Sequence, residues 1–221
     1  VAVSTQVQAQ AALVFLYREV LERPLRMPSL VPRGRGPTRV PVVLDVEEVG
    51  RVLAQLEGVH RLIGLLLYGS GLRLMECLEL RVKDVDLVRL EIRVRRGKGQ
   101  KDRVTMLPEA AAGQLGEHLI RVKLMHEKAL AAGTGGVVLP GALARKYPRA
   151  DRSWPWQWVF PARQAYADPD TGELRRHHLH PSAVQRAVAE AVRRSGVGKR
   201  ASCHTFRHSF ATHLLEAGYD I

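Results

Sequence analysis

The sequence predicts a mixed α+β fold that is mainly helical and carries one small antiparallel sheet. Three observations predict it. Apolar residues recur at three- and four-residue steps through most segments, the period of a helix with one buried face. Between residues 81 and 107 the period drops to two around a glycine-rich turn, the signature of a β-hairpin. Ahead of both, residues 23–41 hold Pro24, Pro28, Pro32, Pro37 and Pro41 among Arg23, Arg26, Arg33, Arg35 and Arg39. That composition cannot be helical and separates two units. The expected division is residues 1–22 as the end of an all-α N-terminal domain, 23–41 as a basic linker and 42–221 as the main domain.

Residues 4–22 read as one helix with Val7, Ala11, Val14, Tyr17 and Leu21 on a single stripe. One helix cannot bury such a stripe alone. After the linker, Asp45 with Glu48 three residues on is a capping box, and a helix follows to about Glu57. His60 to Tyr68 is nearly all apolar and reads as a buried helix, broken by Gly69-Ser70-Gly71. Leu72 to Leu80 is a short helix with Leu74, Cys77 and Leu78 apolar and with Arg73 and Glu76 sharing another face. Ile92 and Val94 then alternate with Arg93 and Arg95, Gly97 to Asp102 turns, and Arg103 to Leu107 pairs back. Ala110 to Ala132 is a helix that stops at Gly133. Residues 133–181 read as irregular and hold Trp154, Trp156 and Trp158, of which at least one is expected to pack inward. Ser182 is the predicted cap of a helix ending at Ser195. Ser202 caps the final helix, with Phe206, Phe210, Leu214 and Ala217 as its apolar face and Gly218 as its stop.

Composition narrows the partners. Thirty-four Lys and Arg against 22 Asp and Glu give a net charge of +12. A chain this basic points to a polyanion, with nucleic acid first. Cys77 and Cys203 make no disulfide framework and fit a reducing compartment. The longest apolar run, Leu62 to Leu67, is too short to span a bilayer, and no signal peptide is evident. The chain begins at Val1 and ends at Ile221 just after a helix stop, so a fragment is expected.

The candidate chemistry lies in Arg73, Lys98, His204 and Arg207. Each sits at an element end or a turn, and all four are hydrogen-bond donors. Such a set fits the non-bridging oxygens of a phosphodiester and the charge that grows in phosphoryl transfer. The planar fork of arginine matches a phosphate, and a lysine on a turn can deliver a proton to a leaving oxygen. His204 and Arg207, three apart at a helix start, suit an anion. Spacing alone leaves open whether the four converge, and an ordinary amphipathic helix with a basic start fits the last stretch as well. The aromatic cluster lies between Arg145-Lys146-Tyr147 and Arg175-Arg176-His177-His178, a setting for stacking unpaired bases or for a small satellite core. The basic linker either runs along a phosphate backbone or is simply solvated. A zinc site built from His177, His178, His180, Cys203, His204 and His208 has no supporting motif, and neither a metal nor a cofactor is expected.

G-S-G-L-R-L-M-E-C-L-E-L, G-K-G-Q-K-D-R and H-T-F-R-H-S-F-A-T-H-L-L, in that order, resemble the tyrosine recombinase (site-specific integrase) family. The insert K-Y-P-R-A-D-R-S-W-P-W-Q-W-V-F-P-A followed by R-R-H-H-L is similar to that of the integron integrases, which recombine gene-cassette sites. The resemblance implies a catalytic domain over 42–221 with an integron-type insert at about 133–181, preceded by the end of a SAM-like core-binding domain. It implies catalytic roles for Arg73, Lys98, His204 and Arg207 and a supporting role for Glu76. It implies DNA contacts from Arg33, Arg35, Arg39, Lys101, Arg103, Lys146, Arg175 and Arg176. Trp156, Pro169, His177 and His178 align with the grip on bases that bulge from a folded single-stranded cassette site. The implied partners are duplex attachment-site DNA, that folded single strand, and further copies in a homotetramer, in a bacterial cytoplasmic, nucleoid-associated setting. The family's nucleophilic tyrosine follows the His-x-x-Arg pair at a greater distance than Tyr219 does, so no nucleophile is assigned and the fragment alone is expected to be inactive. A non-catalytic DNA-binding remnant is the alternative.

Overall fold

The computed structural model describes residues 3–23, 25, 40–95, 102–141, 143–169 and 171–219, with side chains from Thr5 onward. The chain forms two compact units, Val1–Val40 and Pro41–Ile221. In the first, α1 (Val3–Phe15) runs on into a π-helical turn, Leu16–Val20. The predicted stripe stays largely open: Val7 and Leu21 are exposed, and Val14 and Tyr17 half-buried. The predicted linker lies mostly outside the described residues.

The second unit is built around α3 (Gly58–Gly69), as its near-continuous apolar sequence predicts. It packs against α2 (Val46–Ala54), α4 (Leu74–Leu78), α5 (Glu109–Ala131), α7 (Pro181–Arg194) and α8 (Cys203–Glu216). Leu62, Ile63, Leu66 and Leu67 on α3 join Leu44, Val52, Leu78, Leu115, Val184, Val188 and Phe206 in one core. The predicted capping box starts α2: Asp45 Oδ1 accepts from the Glu48 amide at 2.8 Å, and Glu48 Oε2 accepts from the Asp45 amide at 2.9 Å. α2 stops at Ala54, earlier than expected. Ser202 caps α8 by accepting from the His204 amide, and Gly218 ends it at φ +82°. The predicted apolar face of α8 is only partly buried. Phe206 is fully buried, Phe210 and Leu214 half-buried and Ala217 exposed; Cys203, Thr205 and Ser209 share the buried side instead.

The first sheet is antiparallel, in the order β1 (Val85–Asp86), β2 (Glu91–Val94), β3 (Arg103–Met106). The pairing runs from Glu91 opposite Met106 to Val94 opposite Arg103. The turn expected at Gly97–Asp102 lies, apart from Asp102, outside the described residues. On β2 the expected alternation holds: Ile92 and Val94 are buried, Glu91 and Arg93 exposed.

The stretch expected to be irregular contains α6 (Leu143–Lys146), two 3₁₀ turns at Ala150–Arg152 and Trp154–Trp156, and an antiparallel pair, β4 (Pro161–Ala167) with β5 (Leu174–His178). The pair is mostly half-buried or exposed on both faces, so no period-two apolar pattern announces it. The helix after it is capped by His180 and not by Ser182. The Ser182 amide donates to His180 Nδ1, and Pro181 takes the first helical position, where its lack of an N–H costs nothing.

Candidate phosphate-binding site

Gly71 turns the chain out of α3 with φ +59°, and a Cβ there would come within 2.5 Å of the Phe210 ring. The tight turn sets Arg73 directly before α4, with extended backbone angles. Glu76, three residues on, reaches back: its Oε2 accepts from the Arg73 amide at 2.8 Å, and its Oε1 accepts from Arg73 Nη1 at 2.7 Å. The same carboxylate receives a two-pronged contact from β3. Arg103 Nη1 donates to Oε1 at 2.9 Å and Nη2 to Oε2 at 2.7 Å. Arg207, on the second turn of α8, donates from Nη1 to the Gly71 carbonyl and lies 3.9 Å from Glu76 Oε2. One carboxylate thus gathers three guanidiniums from three elements.

The electrostatics follow from that gathering. Burial alone would raise the Glu76 pKa, but the hydrogen bonds from Arg103 and from the amide and side chain of Arg73 outweigh it and bring the value down to about 2. Arg103 is held above its ordinary value, first by its hydrogen bonds to Glu76. Arg207 is lowered by burial and then by the nearby positive charge of Arg73. His204, exposed at the α8 start, is lowered by burial and then by His208, Arg207 and Arg73; its ring lies 4.4 Å from that of His208. Three arginines against one carboxylate leave excess positive charge, and Arg73 and Arg207 keep 37% and 29% of their side-chain surface open. Such a site can take a phosphate oxygen on each fork.

Arg73, Glu76, His204 and Arg207 therefore come together. Lys98, Lys101, Arg33, Arg35 and Arg39 lie outside the described residues. Arg103, expected to touch DNA, is turned onto Glu76 instead. In the insert, Lys146, Pro169 and His177 are exposed, and Trp156 is half-buried. Three other expected contacts are used within the fold. Arg175 pairs with Asp168 at 3.2 Å and Glu173 at 3.1 Å. Arg176 Nη1 donates to the carbonyls of Ala162 and Arg163. His178 is buried beside Trp158, with its ring 5.2 Å from the indole.

Two cations escaped the sequence reading. The Arg81 guanidinium lies 3.1 Å from the centroid of the buried Trp158 ring, and Lys83 Nζ lies 2.8 Å from that of Trp156. Arg81 also donates to the carbonyls of Val138 and Trp156 at 2.9 and 2.8 Å, and burial lowers its pKa to about 10. Arg81 and Lys83 stand two apart, but nothing local indicates that tryptophans some 75 residues away cover them. A cleft of about 160 Å³ opens between this platform and Glu76, lined also by Arg95 and Pro140. Burial raises the thiol pKa of Cys77 and takes that of Cys203 to about 11, so neither is an activated nucleophile. Among the described residues no three His, Cys, Asp or Glu side chains are grouped to hold a metal, and no helix is long and apolar enough to cross a membrane.

Residues 43–221 match the profile of the phage integrase family. Over all 221 residues the chain is 52% identical to an integrase/recombinase from Escherichia coli and to another from Pseudomonas aeruginosa, spanning 66% of the length of each. It is 33% identical over 202 residues to the tyrosine recombinase XerA of Thermococcus onnurineus, covering 90% of this chain and 54% of that one. Among solved structures, the fold is shared with XerA recombinase (TM-score 0.54, 23% identity, all of this chain and 65% of that one). It is shared too with the Tn1549 transposon integrase in complex with transposon right end DNA (TM-score 0.63, 17% identity, all of this chain and 69% of that one).

Proposed function

Because the chain belongs to the phage integrase family, we propose that it grips and activates a DNA phosphodiester for site-specific recombination. The observation that carries this reading is the Glu76 carboxylate, which brings Arg73 and Arg207 side by side with excess positive charge next to His204. The two guanidinium forks bind the non-bridging oxygens and stabilise the charge that grows on them as the phosphorus is attacked. His204, whose pKa is lowered by burial and then by its neighbours, hydrogen-bonds the same group. Lys98 is assigned, by resemblance, the delivery of a proton to the leaving 5′ oxygen. DNA bound to recombinases of this fold supports a DNA partner; a homotetramer on DNA, in the bacterial cytoplasm, follows from the same family reading. No nucleophile is assigned within these 221 residues, and the chain alone is expected to bind without cleaving.

The test is binding to a gene-cassette attachment site in which each phosphate in turn is replaced by an uncharged methylphosphonate. One position should weaken binding by about tenfold, equivalent to about 1.4 kcal/mol. The same replacement should add nothing further in Arg207→Ala. If every position weakens wild type and Arg207→Ala alike, the clamp reading fails.

The finer part of the proposal is that the substrate is a folded single-stranded cassette site. It rests on the exposed Pro169 and His177 and the half-buried Trp156, which offer surface for bases outside a duplex. Trp156→Ala should weaken binding to the folded hairpin about tenfold more than to a plain duplex, in line with the worth of one stacked base. Equal loss on both would make Trp156 a core residue only.

A further inference from the structure

β3 reverses the facing that β2 obeys. Its apolar residues Val104 and Met106 point outward, 55% and 52% exposed, while Arg103 and Thr105 point inward. A one-residue slip in pairing would exchange the two faces and bury both apolar side chains. The observed register forgoes that burial and brings two polar contacts to the segment that carries Arg73. Thr105 Oγ1 donates to the Ser70 carbonyl at 2.9 Å, and Arg103 holds both oxygens of Glu76. Ser70 and Glu76 bracket the Gly71 carbonyl and the Arg73 guanidinium.

From this geometry we infer that Arg103 is a positioning residue, which holds the Glu76 carboxylate on Arg73 and off Arg207 and does not itself contact DNA. The inference rests on the phosphate-clamp reading. With Arg103 in place, each Glu76 oxygen already accepts two hydrogen bonds. Without it, half of those acceptor positions empty. A guanidinium not yet bonded to the carboxylate, Arg207 Nη1, stands 3.9 Å away. A carboxylate drawn onto Arg207 occupies the fork that a phosphate needs. Arg103 thus keeps one anion in place so that another can enter, and it ties the base of the β2–β3 pair to the same group.

The test has two arms, with thermal unfolding as the check on folding. In the free protein, carbon-13 titration of the Glu76 carboxyl should move upward by at least one pH unit in Arg103→Ala, and by less in Arg103→Lys, which keeps charge but loses the fork. In the methylphosphonate series, Arg103→Ala should lose about tenfold in affinity, confined to the same phosphate that Arg207→Ala senses. Glu76→Gln placed in the Arg103→Ala background should recover most of that loss. An unmoved Glu76 titration, a loss that follows a different phosphate, or no recovery in the double variant would each overturn the inference. If Arg103→Ala does not fold, Arg103→Lys carries both arms. If wild type has no sensitive phosphate, the clamp reading falls, while the titration arm still decides whether Arg103 holds Glu76.

Discussion

Glu76 is where the site concentrates its charge. Its carboxyl pKa is lowered from an ordinary 4.5 to about 2, so folding favours the ionised form. The stability this brings is fully present above the unfolded value and is lost as pH falls from about 4.5 through about 2. At 1.36 kcal/mol per unit the shift corresponds to about 3 kcal/mol at neutral pH. Glu76→Gln should therefore lower urea stability by about that much at pH 7, and the gap to wild type should shrink to under about half by pH 3. A gap that is constant with pH would mean the carboxylate is not held by the arginines. Arg73 and Glu76 are legible in the sequence as a pair, because three residues on one helix turn make them neighbours. Arg103 is not legible as their third member, because strand facing follows from register, and here register runs against the apolar pattern. Val104 and Met106, each about half exposed, together forgo about 1.5–3 kcal/mol of burial, against which stand the polar contacts of Arg103 and Thr105.

At the scale of elements, the turn between α3 and α4 couples packing to chemistry. Gly71 must adopt φ +59°, its Cα faces the Phe210 ring, and its carbonyl accepts from Arg207. Gly71→Ala should lose about 2–3 kcal/mol by unfolding, from left-handed strain and overpacking together. It should also blunt the phosphate-specific binding, because the carbonyl that orients Arg207 moves. Normal stability with normal binding would contradict this coupling. The insert follows a different logic. Side-chain donors to backbone carbonyls fix it in place: Arg81 to Val138 and Trp156, Gln157 to Asp151 and Ser153, Trp158 to Arg176, and Arg176 to Ala162 and Arg163. His118 and His126, on α5, bond the carbonyls of Val159 and Arg152. Such contacts leave no period in the sequence, so β4 and β5 are invisible there. The longer helices, whose apolar stripes do leave one, are visible to within a few residues, whereas the four-residue α6, with no buried residue, is not.

At the scale of the whole molecule, the net charge of +12 favours a polyanion such as the proposed DNA. If about six phosphates are neutralised on binding, affinity should fall about a thousandfold between 50 and 200 mM salt, with log–log slope near −5. Measuring that slope by fluorescence anisotropy checks it; a slope near zero would exclude backbone binding as the main source of affinity. Arg175 and Arg176 should contribute little to the slope, since both are engaged within the fold, whereas the exposed Lys146 should contribute about one phosphate.

The sequence by itself determined the long helices, the capping box at Asp45, the stop at Gly218, the basic character and the three boxes that mark the family. Those features are local: propensity, period, capping and composition act over a few residues and are written where they act. Only the tertiary structure decided that Arg73, Glu76, His204 and Arg207 meet. It alone turned Arg103 inward, buried His178 and Trp158, and seated Arg81 and Lys83 on tryptophans. Each of those outcomes joins segments that are distant along the chain. Each is settled by which buried charge or ring finds a partner, a competition that no single stretch of sequence contains.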